Sequence, residues 1–513
     1  MPEPSDTPAS ESRQPLPRRT RWRLRAVLLA ALLGCFALGA WHVNKPLPPG
    51  LRVASAWQPI ASTDLRLLTD TTAADAYGRP VVRQEIFDEQ FRVIAAARKF
   101  IVVDAFLFND QRGALDAGMT PLRPLSRELR DALIAAKAAT PSLAMLVISD
   151  PINNLYGARP SNDFALLRAA GINVVTTDLD LLRDSNPVYS APWHLLLSWW
   201  SGQDQGEGWL PNPLDNGPSR VTLRAWARLL NFKANHRKVL IADDGATEWV
   251  GIVGSANPHD ASSAHSNTAV EIRGAAALQP LLQSELAIAR FSRGNIPIIV
   301  PENIFSPPGK PGQIDSQIRV ITEGAIRDAV LGRIGSTQRG DAIDIAQFHL
   351  SEREIIKSLL DASGRGVAIR LLLDPNKDAF GHEKAGIPNR PVASELVSQS
   401  DGAIKVRWFR THGEQFHSKM MLVRTHERLW LALGSANFTR RNIADYNLEA
   451  DVAIETPSKS QLAVQADRYF DALWNNIAPP GVEYSADFAV YADPAQASYW
   501  VYRLLESTGM SPF

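Results

Sequence analysis

The chain holds a single cysteine, Cys35, among 513 residues, so no intrachain disulfide can form. It also lacks an excess of either charge, with 54 basic side chains against 54 acidic ones. Proteins that bind duplex nucleic acid draw much of their affinity from clustered lysine and arginine. The balance argues against that class, although a local basic funnel stays compatible with it. Long apolar runs are missing too, apart from AVLLAALLGCFALGAWHV at 26–43. At 45% hydrophobic and 21% charged the chain has ordinary globular composition, and its length favours two or three domains over one core.

The apolar run of 18 residues would be about 27 Å long as a helix, enough to cross a bilayer core. Arg18, Arg19, Arg21, Arg23 and Arg25 stand directly before it, which keeps the N-terminus cytoplasmic and sends the rest across. An uncleaved signal anchor fits best, because the run is long and ends without a clean small-x-small site. A signal peptide cleaved after Ala37-Leu38-Gly39 and a lipoprotein site at Leu32-Leu33-Gly34-Cys35 are the alternatives. All three put the body of the protein outside the cytoplasm, in the periplasm if the source is Gram-negative. The polar, proline-rich segment ahead of the arginines is expected to be disordered.

Beyond the apolar run, the chain is written twice. LRLLTD at 65–70 corresponds to IRVITE at 318–323, and IVVDAFLF at 101–108 to AIDIAQFHL at 342–350. LAMLVISDPINNLYG and VAIRLLLDPNKDAFG each read as an apolar strand stopped at Asp-Pro, at Asp150 and Asp374. HRKVLIAD at 236–243 matches HSKMMLVR at 417–424, and each is followed by an apolar stretch ending in GSAN, at 254–257 and 434–437. Strands alternating with helical patterns predict an α/β fold in each half, a mixed sheet flanked by helices. The implied divisions are a disordered basic tail (1–25), a transmembrane anchor (26–43), a linker (44–60), a first domain (61–305), a Pro/Gly linker (306–313), a second domain (314–480) and a tail with a short helix (481–513). From Gly171 to His236 is 65 residues and from Gly402 to His417 is 15, so the first half carries about 50 extra residues near 181–230. These include Trp193, Trp199, Trp200, Trp209 and Trp226, which suit a membrane interface or substrate mouth, or else an ordinary packed helical lid.

His-x-Lys on a strand points both side chains to one face. Two copies facing each other would set His236, Lys238, His417 and Lys419 around one small anion, for which a phosphodiester is the natural guest. The lysines, with Asn257 and Asn437 and the neighbouring Ser255 and Ser435, are candidates to bind its oxygens. One imidazole could attack phosphorus while the other protonates the leaving oxygen, with no metal or other cofactor needed. A carboxylate on the second ring nitrogen would fix each imidazole, and Glu271 and Glu449 are the candidates downstream of GSAN. His259, Asp260 and His265 could form a zinc site by residue type, but no ligand spacing supports one.

With His236, Lys238 and Asp243 as HxKxxxxD and the two GSAN elements, the sequence resembles the phospholipase D superfamily over about residues 60–480. The resemblance implies two α/β domains related by a pseudo-twofold axis, with the site at their interface and a covalent phosphohistidine intermediate resolved by water or an alcohol. It implies His236 as nucleophile and His417 as general acid and then base, although the repeat's symmetry leaves the reverse assignment open. Lys238, Lys419, Asn257 and Asn437 would then hold phosphate, and Glu271 and Glu449 orient the rings. The second copy departs from the pattern at Arg424, where the motif has Asp. Asp243 lies five residues past Lys238, about 16 Å along a strand, so its role is expected to be structural. The anchor, the tryptophans and the neutral charge favour a phospholipid substrate at a membrane, with hydrolysis or headgroup exchange of the cardiolipin-synthase type. An extracytoplasmic nuclease of the same fold and a catalytically dead tethered binding protein are the other readings.

Overall fold

The structure, a computed structural model, describes residues 18–112, 122–298, 314–380, 382–493 and 495–510, apart from 204, 207, 214–218 and 247. The expected linker at 306–313 and the tail before residue 18 lie outside the described residues.

Each half forms a sheet with the same strand order. In the first it runs Leu65–Ala74, Asn267–Arg273, Trp249–Gly254, Lys238–Asp243, Phe100–Ala105, Ala144–Ser149, Asn173–Thr176. In the second it runs Ser316–Thr322, Ala450–Pro457, Arg428–Gly434, Lys419–Arg424, Ala342–Gln347, Ala368–Leu373, Lys405–Phe409. The last three strands of each set are parallel and the others antiparallel. The His-x-Lys strand therefore sits in the middle of each sheet.

Side-chain alternation explains how the sheets are buried. Val239 and Ile241 face a core shared with Met420 and Leu422 of the other sheet. Leu240 and Ala242 face the outer core of the first half, and Met421 and Val423 that of the second. Both faces are covered, so KVLIAD and KMMLVR are continuous apolar runs rather than alternating ones. The shared core draws on both halves at once, from Val253 and Val270 to Leu431, Val452 and Phe470.

The far ends of the two motif strands are closed differently. Asp243 accepts the backbone N–H groups of Arg98, Lys99, Phe100 and Gly245 at 3.1, 2.7, 3.0 and 3.0 Å. Arg424 instead pairs with Asp344 and, at 2.5 Å, with Asp467. Asp344 also holds Arg370 at 2.6 Å, so the exchange of Asp for Arg is absorbed by an added carboxylate on the neighbouring strand.

Several boundaries differ from the sequence reading. The arginines assigned to a disordered tail are the first turns of one helix, Arg18–Asn44, because no breaker separates them from the apolar run. Within it, Trp22–Asn44 is long and apolar enough to cross a membrane. Gln58–Ile60, expected in a linker, pairs with Ser316–Thr322 at the edge of the second sheet. The expected C-terminal tail adds a strand, Ser485–Asp487, to the other edge, and a helix, Gln496–Thr508, whose Tyr502 is fully buried. The insertion is not one helical lid but a series of short helical segments and a small hairpin, Leu210–Pro211 with Arg220–Val221. It docks on the end of the apolar helix, where Asp184 N–H donates to His42 O at 3.0 Å and Arg183 Nε to Lys45 O at 2.8 Å. Trp193 is buried, whereas Trp199, Trp200 and Trp209 are 71, 74 and 73% exposed.

Arg237, the middle residue of the first motif, is fully buried and stitches the halves together. It reaches Glu285 at 3.0 Å in its own half and Glu323 at 2.5 Å in the other. Removing the guanidinium leaves two buried carboxylates uncompensated. Arg237→Met should therefore lower stability by about 3–5 kcal/mol, read by denaturant unfolding of the detergent-solubilised chain.

Candidate active site

The two halves meet through a pair of backbone bridges. Asn235 pairs with Leu448, and Ser266 with Phe416, both in parallel register. His236 N–H donates to Leu448 O at 2.9 Å, and His417 N–H to Ser266 O at 2.8 Å. Each histidine is thus laid against the other half, beside the residue that opens that half's last core strand. The Asp-Pro stops clamp the same segments from behind. Asp150 accepts Asn235 N–H at 2.6 Å, and Asp374 accepts Phe416 N–H at 2.7 Å. The repeated Asp-Pro was legible in the sequence as a strand end, but its reach to the residue before each histidine was not.

His236 Nδ1 lies 2.9 and 3.1 Å from the two carboxylate oxygens of Glu449. Ser435 Oγ and Asn442 Nδ2 donate to the same carboxylate. His417 Nδ1 lies 3.1 Å from Asn267 Oδ1, which also accepts from Ser255 Oγ at 3.0 Å. Asn267 Nδ2 donates to His265 O at 3.0 Å, which turns the amide oxygen toward the ring. With each Nδ1–H donating, each Nε2 carries the free lone pair.

Glu271 therefore does not orient a histidine. It pairs instead with Arg66 at 2.6 Å and Arg273 at 2.7 Å. Strand register gives the reason. Gly254 faces Ala269, and Gly434 faces Asp451, so the counterpart of Glu449 is Asn267, two residues before Ala269. Glu271 is four residues further along the strand, about 13 Å away. Counting from GSAN misled because the connecting loop is longer in the second half, where it holds the helical turn Arg440–Ile443.

Ser255 and Ser435 are also corrected. Both are fully buried, and their hydroxyls hold Asn267 and Glu449 rather than facing the cavity. Asn257 and Asn437 do line the cavity, and their Oδ1 atoms have no hydrogen-bond partner among the described residues. Lys238 and Lys419 donate to the carbonyls of His236 and His417 and sit 4.9 and 5.1 Å from the ring centroids of Phe106 and Phe348. Those phenylalanines, missed in the sequence although they recur at matching places, also brace the imidazoles, at 4.7 Å for His236 and 5.0 Å for His417.

The result is a cavity of about 520 Å³ lined by His236, His417, Asn257 and Asn437. Burial and the nearby ammoniums hold His236 well below the ordinary imidazole range. Burial and then Lys419 do the same to His417. Burial pushes Lys238 down to about 7, against the pull of Glu449, and lowers Lys419 strongly, helped by Lys238. Burial raises Glu449 to about 8, opposed by Lys238. A buried anion would favour every charged ammonium and imidazolium here, so the electrostatics suit a phosphate.

The zinc reading of His259, Asp260 and His265 finds no support in the geometry. His259 Nδ1 meets Ser262 Oγ at 2.8 Å, and Asp260 is taken by Ser126 Oγ at 2.8 Å. His42, Asp184 and His194 do bring donor atoms within 4.8 Å of one another. However, the two rings stack 3.5 Å apart with planes 12° from parallel, so their lone pairs run side by side, and Lys233 Nζ lies 2.5 Å from Asp184. That arrangement fits a hydrogen-bonded cluster rather than a metal centre.

Residues 330–474 match the family model described as "Cardiolipin synthase, PLD-like domain". No curated protein matches the chain in sequence. Among solved structures, phosphatidylserine synthase from Haemophilus influenzae Rd KW20 is similar over 92% of this chain and 96% of its own, with a TM-score of 0.52 and 12% identity. At that identity the likeness speaks to the fold alone. Looser likenesses are polyphosphate kinase from Porphyromonas gingivalis (TM-score 0.41, 13% identity, 87% of this chain and 53% of the other) and Nuc, a phospholipase D family member from Salmonella typhimurium (0.26, 22%, 34% and 98%).

Two outcomes are expected with the soluble diester bis(p-nitrophenyl) phosphate. Glu449→Gln should slow turnover by about 10²–10⁴-fold, while Glu271→Gln leaves the rate per folded molecule unchanged. Lys238 is charged below its pKa, so kcat/KM should fall as pH rises through about 7, read from a pH–rate profile.

Proposed function

We propose that the chain is a phospholipase D superfamily member, a membrane-anchored enzyme that cleaves or exchanges phospholipid headgroups through a phosphohistidine. The observation that carries the reading is the pair of histidines that line one cavity, each with Nδ1 engaged by the other half. The bound anionic diester favours the imidazolium of His417, which carries a proton on each ring nitrogen. In the first step His236 Nε2 attacks phosphorus, the bond from phosphorus to the headgroup oxygen breaks, and His417 gives that oxygen its Nε2 proton. In the second, water or an alcohol attacks phosphorus, gives its proton to His417, and the phosphorus–nitrogen bond breaks. Lys238, Lys419, Asn257 and Asn437 bind the non-bridging oxygens, where negative charge builds.

The unequal partners favour His236 as the nucleophile. The imidazole that bonds phosphorus becomes cationic, and Glu449 can stabilise that charge. His417 must lose its proton readily in the first step, and an uncharged amide behind it keeps it a willing donor. Support for a lipid substrate comes from the apolar helix, the insertion docked on its end, and three exposed tryptophans within that insertion. In this reading the helix is the anchor, and the catalytic body stands on the extracytoplasmic side.

The test uses the full chain in mixed micelles with labelled phosphatidylglycerol, phosphatidylcholine or single-stranded DNA, with and without glycerol or ethanol. Phosphatidic acid is expected in water and a new diester when alcohol is present. His236→Ala and His417→Ala should each lose about 10²–10⁴-fold or more. Acid-labile label should attach to His236. Cut DNA with intact lipid, or near-normal rates in either variant, would overturn the proposal.

A further inference from the structure

The cavity holds a cation that these steps leave unused. Arg441 is 9% exposed and lines the same cavity as His236, His349 and Asn437. Its guanidinium lies over the ring of Phe232, with Cζ 4.8 Å from the centroid. Its Nε and Nη2 atoms are buried and have no hydrogen-bond partner among the described residues. No described carboxylate comes within 4.0 Å of its guanidinium nitrogens. Its neighbours behave otherwise. Arg440 donates to Tyr446 Oη at 2.7 Å, and the equally buried Arg237 has two glutamates.

A buried guanidinium with no carboxylate in contact is costly, Glu506 acting on it only through space, and its fixed fork fits two coplanar oxygens. Phe232 backs the guanidinium, and the arginine lines the cavity. Arg441 lies in the helical turn Arg440–Ile443, within the loop that is longer in the second half than in the first, so register gives it no counterpart in the first half. A cation on one side only of a twofold site answers an asymmetry in what binds there. On the Lys419 side, Phe348 stacks on His349 at 3.9 Å and also meets His417 and Lys419, and His349 lines the cavity together with Arg441.

We propose that Arg441 binds a second oxyanion, a phosphate or carboxylate group carried alongside the phosphodiester that reacts. This rests on the headgroup-transfer reading and narrows its substrate class to molecules with a second acidic group. The group belongs either to the donor lipid's headgroup or to the acceptor alcohol.

The experiment reads a ratio, so that loss of folded enzyme cancels. For the acceptor, kcat/KM for glycerol 3-phosphate and for glycerate is divided by that for glycerol. For the donor, the value for phosphatidylserine is divided by that for phosphatidylglycerol. The same comparison is made with soluble p-nitrophenyl phosphodiesters of glycerate and of glycerol. Arg441→Gln should lower at least one ratio about tenfold or more, chiefly through KM, and Arg441→Lys should restore part of it. A fall confined to the acceptor ratio assigns the oxyanion to the acceptor, and one confined to the donor ratio assigns it to the donor. Ratios unchanged in both variants overturn the inference. If the wild-type chain turns over the soluble diesters but no lipid, the lipid reading fails while the soluble pair still decides Arg441.

Discussion

The site depends on one exchange. Each half lends a strand edge to the other, through Asn235 with Leu448 and Ser266 with Phe416. These short bridges place each imidazole against the opposite half's Glu449 or Asn267, and the two Asp-Pro clamps hold the exchanged segments in place. The shared core and the Arg237–Glu323 pair then make the exchange rigid. Neither half contains a complete histidine with its orienting partner.

Much of this was legible in the sequence because duplication doubles every signal. The succession of strands along the chain, the two His-x-Lys segments, both GSAN elements and the α/β class of each half could all be read from repeated strings. What repeated in structure but not in residue type was harder to see. Asn267 and Glu449 occupy matching positions, yet only one is an acid, so a search for paired carboxylates settled on Glu271. Register decides such a question, and register is set by pairing across strands rather than by distance along the chain. Ser255 and Ser435 were misplaced because their hydroxyls are taken up by the residues behind the rings, Asn267 and Glu449, a pairing across strands that distance along the chain does not show. Arg441 left no trace at all, having no counterpart in the first half.

The departures from symmetry sort into two kinds. Arg424 is compensated locally by Asp344 and Asp467, so it changes how the strand end is tied without reaching the cavity. Asn267 opposite Glu449 stands directly behind the rings that line the cavity, and Arg441, in a turn the first half lacks, lines the cavity itself. The first kind is drift that packing has repaired. The second gives the two imidazoles unequal surroundings, which a reaction with two unlike steps can use.

The exchange of partners has a consequence for ancestry and design. A homodimer assembled from two second halves, joined by the same bridges, would set a glutamate behind both rings. One assembled from two first halves would set an amide behind both. Only the covalent fusion of unlike halves yields one of each, so concatenation here freed the two copies to specialise against one another.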